Sequence, residues 1–333
     1  MTELSRRGML MGAAAATAAA ALTPFASTQP ARAAAPLSGK QAPGFYRYKV
    51  GDFELTAIAD GVRPTALPDT FVRNANKSEV AAALQAAFIP SDQVPFAFTA
   101  VVVNTGSKLI VIDAGNGLGA LEQSKGLVGQ WHGNFAAAGF DPKAVDVVII
   151  SHFHGDHIGG LLGADSKLAF ANAEVMVPKP EWDYYMDEAQ MNRMPEGARG
   201  NFTNSRRVFG AFGNKVTQYE GEKDLVPGIR AVPTPGHTPG HYSHLVTSGN
   251  GSVMVQADVT AGVPVLFARN PGWHPAFDSD AKLAEETRRK LYDRMAADKT
   301  LVQGYHIPFP GIGYIEKDGN GYRIVPAAWK TML

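Results

Sequence analysis

The chain has no cysteine in its 333 residues. That absence rules out a disulfide framework and every zinc site built on sulfur, so any bound metal must be held by nitrogen and oxygen. Charge of one sign is missing too, since 31 basic side chains face 31 acidic ones. No basic block occurs that would track a phosphate backbone, which excludes nucleic acid as a partner. A long, strongly apolar run is also lacking. The one sustained stretch, Gly8 to about Leu22, is alanine-rich and falls short of the roughly 20 strongly apolar residues of a stable membrane span.

What is present fits an ordinary globular protein: 45% of residues are hydrophobic and 19% charged, enough for a sizeable core in one large domain or two small ones. Residues 1–33 read as a leader. Ser5-Arg6-Arg7 precedes the alanine-rich stretch, and Ala31-Arg32-Ala33 offers a small-x-small cleavage site. The paired arginines before Gly8-Met9-Leu10 resemble a twin-arginine signal, a route for proteins already folded; a general secretory signal is the alternative. Either route predicts a periplasmic or secreted protein. Cleavage after Ala33 leaves a net charge of about −2, which predicts no stable membrane association. A domain of this size can be stabilised by its core alone, so export without disulfides is physically acceptable.

A Pro/Gly/Ser-rich linker at residues 34–44 leads into a domain expected to fill 45–333. "FYRYKVGDFELTAIADG" alternates apolar and polar around Gly51-Asp52, which predicts a hairpin. "FTAVVVNTGSKLIVIDAGNG" gives two nearly continuous apolar runs joined by Asn104-Thr105-Gly106-Ser107, the pattern of buried strands around a tight turn. Between these pairs "SEVAAALQAAF" (78–88) has helical character and marks a helical insertion at about 66–95. A second helical pattern at 126–140 leads to a strand at 144–151. Further strands are expected at about 173–177, 229–233, 242–247 and 252–257, with helices near 180–190 and 279–297. In the last helix Asp278 and Ser279 are the expected caps, and Ala284, Leu291 and Met295 form the buried stripe. Strand pairs, then helix and strand in alternation, argue for a layered α/β domain.

One segment carries chemistry. "SHFHGDHIGG" (151–160) packs three of the nine histidines and an aspartate into six positions. Independent draws from this composition give His-x-His-x-Asp-His roughly once in three thousand such chains, so a chance polar loop is a poor explanation. On extended backbone His152 and His154 point the same way and can grip one ion. Gly155 then permits a reversal that brings Asp156 and His157, in the first turn of a short helix, to a second ion beside the first, while Gly159-Gly160 allow close backbone approach. Two ions need more ligands. His237 lies between Pro235-Gly236 and Pro239-Gly240, and His306 sits in "GYHIPFPGIG". Asp258 ends the apolar strand "SVMVQAD", where an unpaired carboxylate would be very costly. Asp156 and Asp258 are also the candidate catalytic carboxylates. Asp113, in "IVIDAGNG", is a candidate for orienting a ligand histidine through its other ring nitrogen. His132, His241, His244 and His274 are read as structural or exposed.

The order and spacing of these pieces resemble the metallo-β-lactamase superfamily. There His-x-His-x-Asp-His is followed by a His, an Asp and a final His, each at a strand end on one edge of a four-layer αβ/βα sandwich. The resemblance implies that fold here, with His152, His154 and His237 holding one metal, Asp156, His157 and His306 the other, and Asp258 bridging them. "GDFELTAIADG", "VNTGSKLIVIDAG", "DLVPGI" and "FPGIG" look like the methyl parathion hydrolase and acyl-homoserine lactone lactonase branch. That likeness, with the leader, implies an exported dinuclear hydrolase of organophosphate triesters, lactones or aryl esters, the export resting on the leader alone; by analogy with the branch it implies a homodimer. Zinc is the default for a His/carboxylate set, with manganese, iron or cobalt also compatible. Two such ions sharing a water lower its pKa to about 7. A glyoxalase-II-like thioesterase and a non-catalytic periplasmic metal-binding protein are the alternatives.

Substrate contacts are expected from Trp182 and Tyr185 in "EWDYYMDEAQMN" and from Phe202, with core packing as the competing reading for each, and from Leu118. Gly117-Leu118-Gly119 stands where the branch tends to carry a Phe. This departure weighs against organophosphate turnover and leaves lactone or aryl-ester hydrolysis open.

Overall fold

The apolar runs of the sequence are covered on both faces, which is why they read as nearly continuous stretches and not as strict alternation. A computed structural model describes residues 37–213, 215–260 and 262–333; the leader expected at 1–33 and the start of the linker lie outside them. Residues 42–333 form one compact unit built on two seven-stranded sheets.

The first sheet runs in chain order through β1 (Phe45–Val50), β2 (Phe53–Ala66), β3 (Gln93–Asn104), β4 (Leu109–Ile112), β5 (Val147–Ile149), β6 (Glu174–Pro178) and β7 (Val216–Tyr219). The β1–β2 hairpin turns on the two residues Gly51-Asp52, with Gly51 at a φ of 57°. Pairing is antiparallel as far as β4 and parallel from β4 to β7. The second sheet runs β14-β13-β12-β11-β10-β9-β8, from β8 (Lys223–Val226), β9 (Ile229–Pro233), β10 (Tyr242–Ser248) and β11 (Gly251–Ala257) to β12 (Leu301–Gly304), β13 (Ile312–Asp318) and β14 (Gly321–Pro326).

Alternating side chains divide each strand between two cores. Val101, Val103, Ile110 and Ile149 meet Ile229, Val246 and Val253 between the sheets. Their neighbours Val102, Val111 and Val148 face outward, under Trp131 and Phe135 of the helix Trp131–Ala137 and Phe209 of the helix Gly200–Gly210. On the far face Met254 and Val302 pack beneath Leu291, Tyr292 and Met295 of the long helix Ala281–Asp298. The result is the four-layer αβ/βα sandwich.

The expected insertion lies between β2 and β3. Its helix, Lys77–Ala86, is started by a capping box between Asn76 and Glu79. Val80 and Leu84 join Phe71, Leu266 and Phe267 in a separate small core. The helix expected at 180–190 is two, Lys179–Tyr185 and Glu188–Arg193. The cap expected at Asp278 is supplied by Asp280, which accepts the Leu283 N–H at 3.0 Å. Among the described residues no helix is long and apolar enough to cross a membrane.

Phe135 is fully buried and stacked on Trp131 with ring centroids 4.7 Å apart. Phe135→Ala should destabilise the protein by about 3–5 kcal/mol, read as a lower urea midpoint at unchanged slope; an unchanged midpoint would remove this layer as a stability determinant.

Candidate metal centre

Each candidate ligand follows a strand end on one edge of the sandwich. The segment His152–His157 comes after β5, His237 after β9, Asp258 after β11 and His306 after β12. Asp113 follows β4. The turn at Gly155–Ile158 is a single helical turn, and it presses close to the β4 loop. A Cβ on Gly160 would stand 1.8 Å from the Ala114 carbonyl oxygen, so only glycine fits there.

The structure brings all seven candidates together in two groups that share Asp258: His152, His154, His237 and Asp258, and Asp156, His157, Asp258 and His306. Within each group one donor atom per residue lies within 4.8 Å of the others. The Asp258 carboxylate stands between them. Its Oδ2 is 3.3 Å from His237 Nε2 and 2.9 Å from His306 Nε2, and its Oδ1 is 3.3 Å from His157 Nε2. Asp156 Oδ2 lies 3.3 Å from His157 Nε2 and 3.5 Å from His306 Nε2, while His154 Nδ1 faces His237 Nε2 at 3.0 Å.

The outer ring nitrogens are tied back, which fixes the tautomers. His157 Nδ1 donates to Asp113 Oδ2 at 2.8 Å, His237 Nδ1 to Asp278 Oδ1 at 2.9 Å, and His306 Nδ1 to the Ala97 carbonyl at 2.8 Å. His152 Nδ1 donates to Ser151 Oγ at 3.0 Å, and that hydroxyl donates in turn to Asp113 Oδ2 at 2.8 Å. Asp113 thereby orients His157 directly and His152 through the serine. It also accepts the Ser151 backbone N–H at 2.8 Å, from a left-handed φ of 62°. Acceptors that hold the outer N–H groups in this way raise ligand basicity and aim the inner lone pairs.

Electrostatics divide the rings. Burial, with His157 and His154 nearby, holds His152 well below the usual imidazole range, and burial beside His237 brings His154 down to about 3. Burial opposes charge on His237 as well, but Asp258 and Asp278 raise it to about 9. On His157 the carboxylates of Asp156, Asp258 and Asp113 likewise outweigh burial and raise the pKa well above the usual value. Asp258 is held well below the usual carboxylate range, because His306 and His157 overcome the cost of burial.

Several supporting residues carry no mark in the sequence. Glu181 is fully buried and accepts the N–H of Phe153 at 2.9 Å and of Gly240 at 2.6 Å, tying the 152–157 loop to the His237 turn. His241 Nε2 accepts the Asp258 N–H at 3.1 Å. Asp278 serves His237 and not the helix start, and it also faces the buried Arg288, whose Nη2 lies 3.4 Å from Asp278 Oδ2. His244 is buried beside Tyr219, and His274 meets Glu285 at 2.9 Å. His132 packs in a T-shape against Trp131.

Above the cluster opens a cavity of about 550 Å³. Phe96, Phe98 and Phe277 form one part of its wall, and Arg63, Asn116, Asn201, Asn204 and Arg207 another. The expected substrate contacts do not line it. Tyr185 and Phe202 are buried together in the outer core with ring centroids 5.0 Å apart, Trp182 packs against Phe209, and Leu118 begins the helix Leu118–Gln123. Packing prevails because the helices Lys179–Tyr185 and Gly200–Gly210 turn these rings into the first sheet's helical layer. The aromatic wall comes instead from β3, where Phe96 and Phe98 lie two apart on one face. The alternation in "PFAF" was the available signal.

Residues 95–296 match the family model of the metallo-beta-lactamase superfamily. The chain belongs to that superfamily. Among relatives, an N-acyl homoserine lactonase of Bacillus sp is 28% identical over 165 residues, which cover 49% of this chain and 56% of the lactonase. The chain thus spans about half the length of the first curated lactonases it matches. The probable metallo-hydrolase YflN of Bacillus subtilis (strain 168) is 24% identical over 61% of this chain and 76% of its own. Two solved structures align over nearly their full length. AidC, a dizinc quorum-quenching lactonase in complex with the product N-hexanoyl-L-homoserine, superposes with a TM-score of 0.80 at 27% identity, covering 86% of this chain and 99% of AidC. The hydrolase AbOPH gives a TM-score of 0.79 at 27% identity over 87% and 100%. The metallo-beta-lactamase fold and the two His/Asp groups together suit a pair of divalent metals.

Asp278→Asn keeps the shape of the group that holds His237 and removes its charge. Metal affinity should fall about 10–100-fold, measured by competition with a chromophoric chelator; unchanged affinity would show that Asp278 does not support the centre. Metal binds neutral imidazole, and His237 titrates near 9 with His157 also raised. Loading at pH 7 should therefore release protons, and affinity should rise with pH up to about 9. Calorimetry in buffers of different ionisation enthalpy checks this, and an unaltered apparent enthalpy would contradict it.

Proposed function

We propose that the protein is a dinuclear, metal-dependent hydrolase of lactones and related carboxylic esters. One observation carries this reading: the seven clustered ligands lie at the base of an open cavity and three of their inner atoms are unsatisfied. His152 Nε2, His157 Nε2 and Asp258 Oδ1 are buried and have no hydrogen-bond partner. Leaving such groups unpaired costs about 1–3 kcal/mol each, and a pair of cations, one in each group, would satisfy them.

The residues fit the group. His152, His154 and His237 would hold one ion, Asp156, His157 and His306 the other, with Asp258 between them. The all-nitrogen-and-oxygen donor set suits zinc, and the likeness to AidC, a dizinc lactonase, supports that choice. When bound, two divalent ions supply Lewis acidity and make water acidic enough to attack near neutral pH.

The chain's own side chains do the rest. Phe96, Phe98 and Phe277 pack against the apolar part of a substrate and shed water from the mouth. Asp156 and Asp258 stay ionised under the influence of the surrounding imidazoles, so each offers an anionic oxygen to accept a hydrogen bond from the attacking water. Hydrolysis adds one water across the acyl C–O bond: oxygen goes to the carbonyl carbon, and the proton passes to the departing alkoxide. Lactone hydrolysis is favoured over organophosphate turnover by the lactonase relatives. Export of the folded protein to the periplasm or beyond is part of the same reading, supported by Arg6-Arg7 and the alanine-rich stretch after them.

Zinc-loaded protein assayed on homoserine lactones, aryl esters and paraoxon-type triesters should hydrolyse the first two classes. His152→Ala combined with Asp258→Ala should abolish both bound metal and turnover. Hydrolysis surviving in that double variant would rule out the mechanism.

A further inference from the structure

The cavity wall holds two guanidinium groups that hydrolysis of a neutral ester does not require. Arg63 and Arg207 both line it, and neither meets a carboxylate among the described residues. Each is braced by an amide instead. Arg63 Nη2 donates to Asn116 Oδ1 at 3.3 Å, and its guanidinium lies over the Phe98 ring, 5.6 Å from the centroid. Asn116 cannot flip its amide, because Nδ2 and the backbone N–H both donate to Asp60 Oδ2, at 2.7 and 2.9 Å. Asp60 is itself fully buried and accepts the Trp131 N–H at 2.8 Å with its other oxygen. A buried carboxylate thus orients an amide, and the amide orients a guanidinium that keeps most of its five donors for a ligand.

Arg207 is held in a similar way from another element. It donates through Nη2 to Asn204 Oδ1 at 2.8 Å, one turn earlier on the helix Gly200–Gly210. Asn204 in turn lies against the 152–157 loop, where a Cβ on Gly155 would come 3.5 Å from its Nδ2. Among the described residues the only carboxylates on the cavity wall are Asp156 and Asp258, both enclosed by imidazoles at the metal centre. The rest of the charged lining is therefore positive and fork-shaped, the geometry that matches a carboxylate.

We propose that Arg63 and Arg207 recognise a carboxylate carried by the substrate away from its scissile bond, so that the preferred substrates are acidic esters or lactones; this rests on the hydrolase reading above. The aromatic wall takes the carbon skeleton between the two ends. Zinc-loaded protein should hydrolyse 4-nitrophenyl hydrogen glutarate with a kcat/KM about tenfold above that for 4-nitrophenyl butyrate, the difference lying in KM. The advantage should shrink in about 0.5 M salt. In Arg63→Gln/Arg207→Gln it should fall to about onefold, while Arg63→Lys/Arg207→Lys retains part of it because the charge is kept and the fork is lost. A second arm is independent of turnover: benzoate and benzamide are titrated into metal-free wild type and the Gln variant. Benzoate binding should weaken about tenfold in the variant, and benzamide binding much less. Equal use of the two esters by the wild type, a glutarate preference that survives in the Gln variant, or benzoate binding that ignores the substitutions would each overturn the proposal. Failure of the zinc-loaded protein on every ester and lactone would sink the hydrolase reading instead, and the benzoate arm would still decide whether the arginines bind a carboxylate.

Discussion

Imidazoles crowded against one another repel as cations and, as neutral rings, waste their buried lone pairs, so a cluster of five needs both a cation in the middle and anchors behind. The anchors are in place here. Asp113, Ser151, Asp278 and the Ala97 carbonyl take the outer nitrogens of His157, His152, His237 and His306, leaving the inner nitrogens turned toward Asp258 and Asp156. Much of the surrounding architecture serves this arrangement. The strands end at one edge, the glycines bring loops into backbone contact, and the buried Glu181 joins two ligand-bearing turns that are distant in sequence.

The support extends outward in layers of hydrogen bonds. Arg288 runs from the long helix Ala281–Asp298 into the interior and donates to the carbonyls of Val259 and Pro271, while its Nη2 faces Asp278. Its charge is tolerated in burial because Asp278 is opposite and the carbonyls satisfy its other donors. His241, kept neutral by burial and the neighbouring His237, holds the backbone of Asp258. Asp60 does the same for the β4 loop through Asn116 and Trp131. Cavity wall and metal centre are thus each held from behind by a buried carboxylate, Asp60 for Arg63 through Asn116 and Asp278 for His237.

Most strands and the ligand set could be read before any coordinates because each leaves a local mark. Buried strands show as apolar runs: β9 spans the expected 229–233, and β10 and β11 differ from expectation by one residue at one end. The helix ends were less clear. Asp278 has the side chain of a cap, yet the long-range partners His237 and Arg288 claim it and Asp280 takes the cap. The aromatic residues Trp182, Tyr185 and Phe202 carry the same composition whether they face a ligand or a core, and only the direction of their helices sends them inward.

By itself, the sequence determined the chemistry on offer: nitrogen and oxygen ligands without sulfur, a His-rich turn after a buried strand, and apolar runs that demand cover on two faces. These are properties of short segments, fixed by residue type and by the geometry of strand and turn. Beyond the ligand set, the tertiary structure alone decided which distant residues meet. It placed Glu181, Asp278 and His241 behind the metal centre and turned Phe96, Phe98, Arg63 and Arg207 into the cavity above it. Such contacts depend on how the two sheets and their helices pack against each other, and a single chain read in order carries no signal for a hydrogen bond that closes only after that packing is complete.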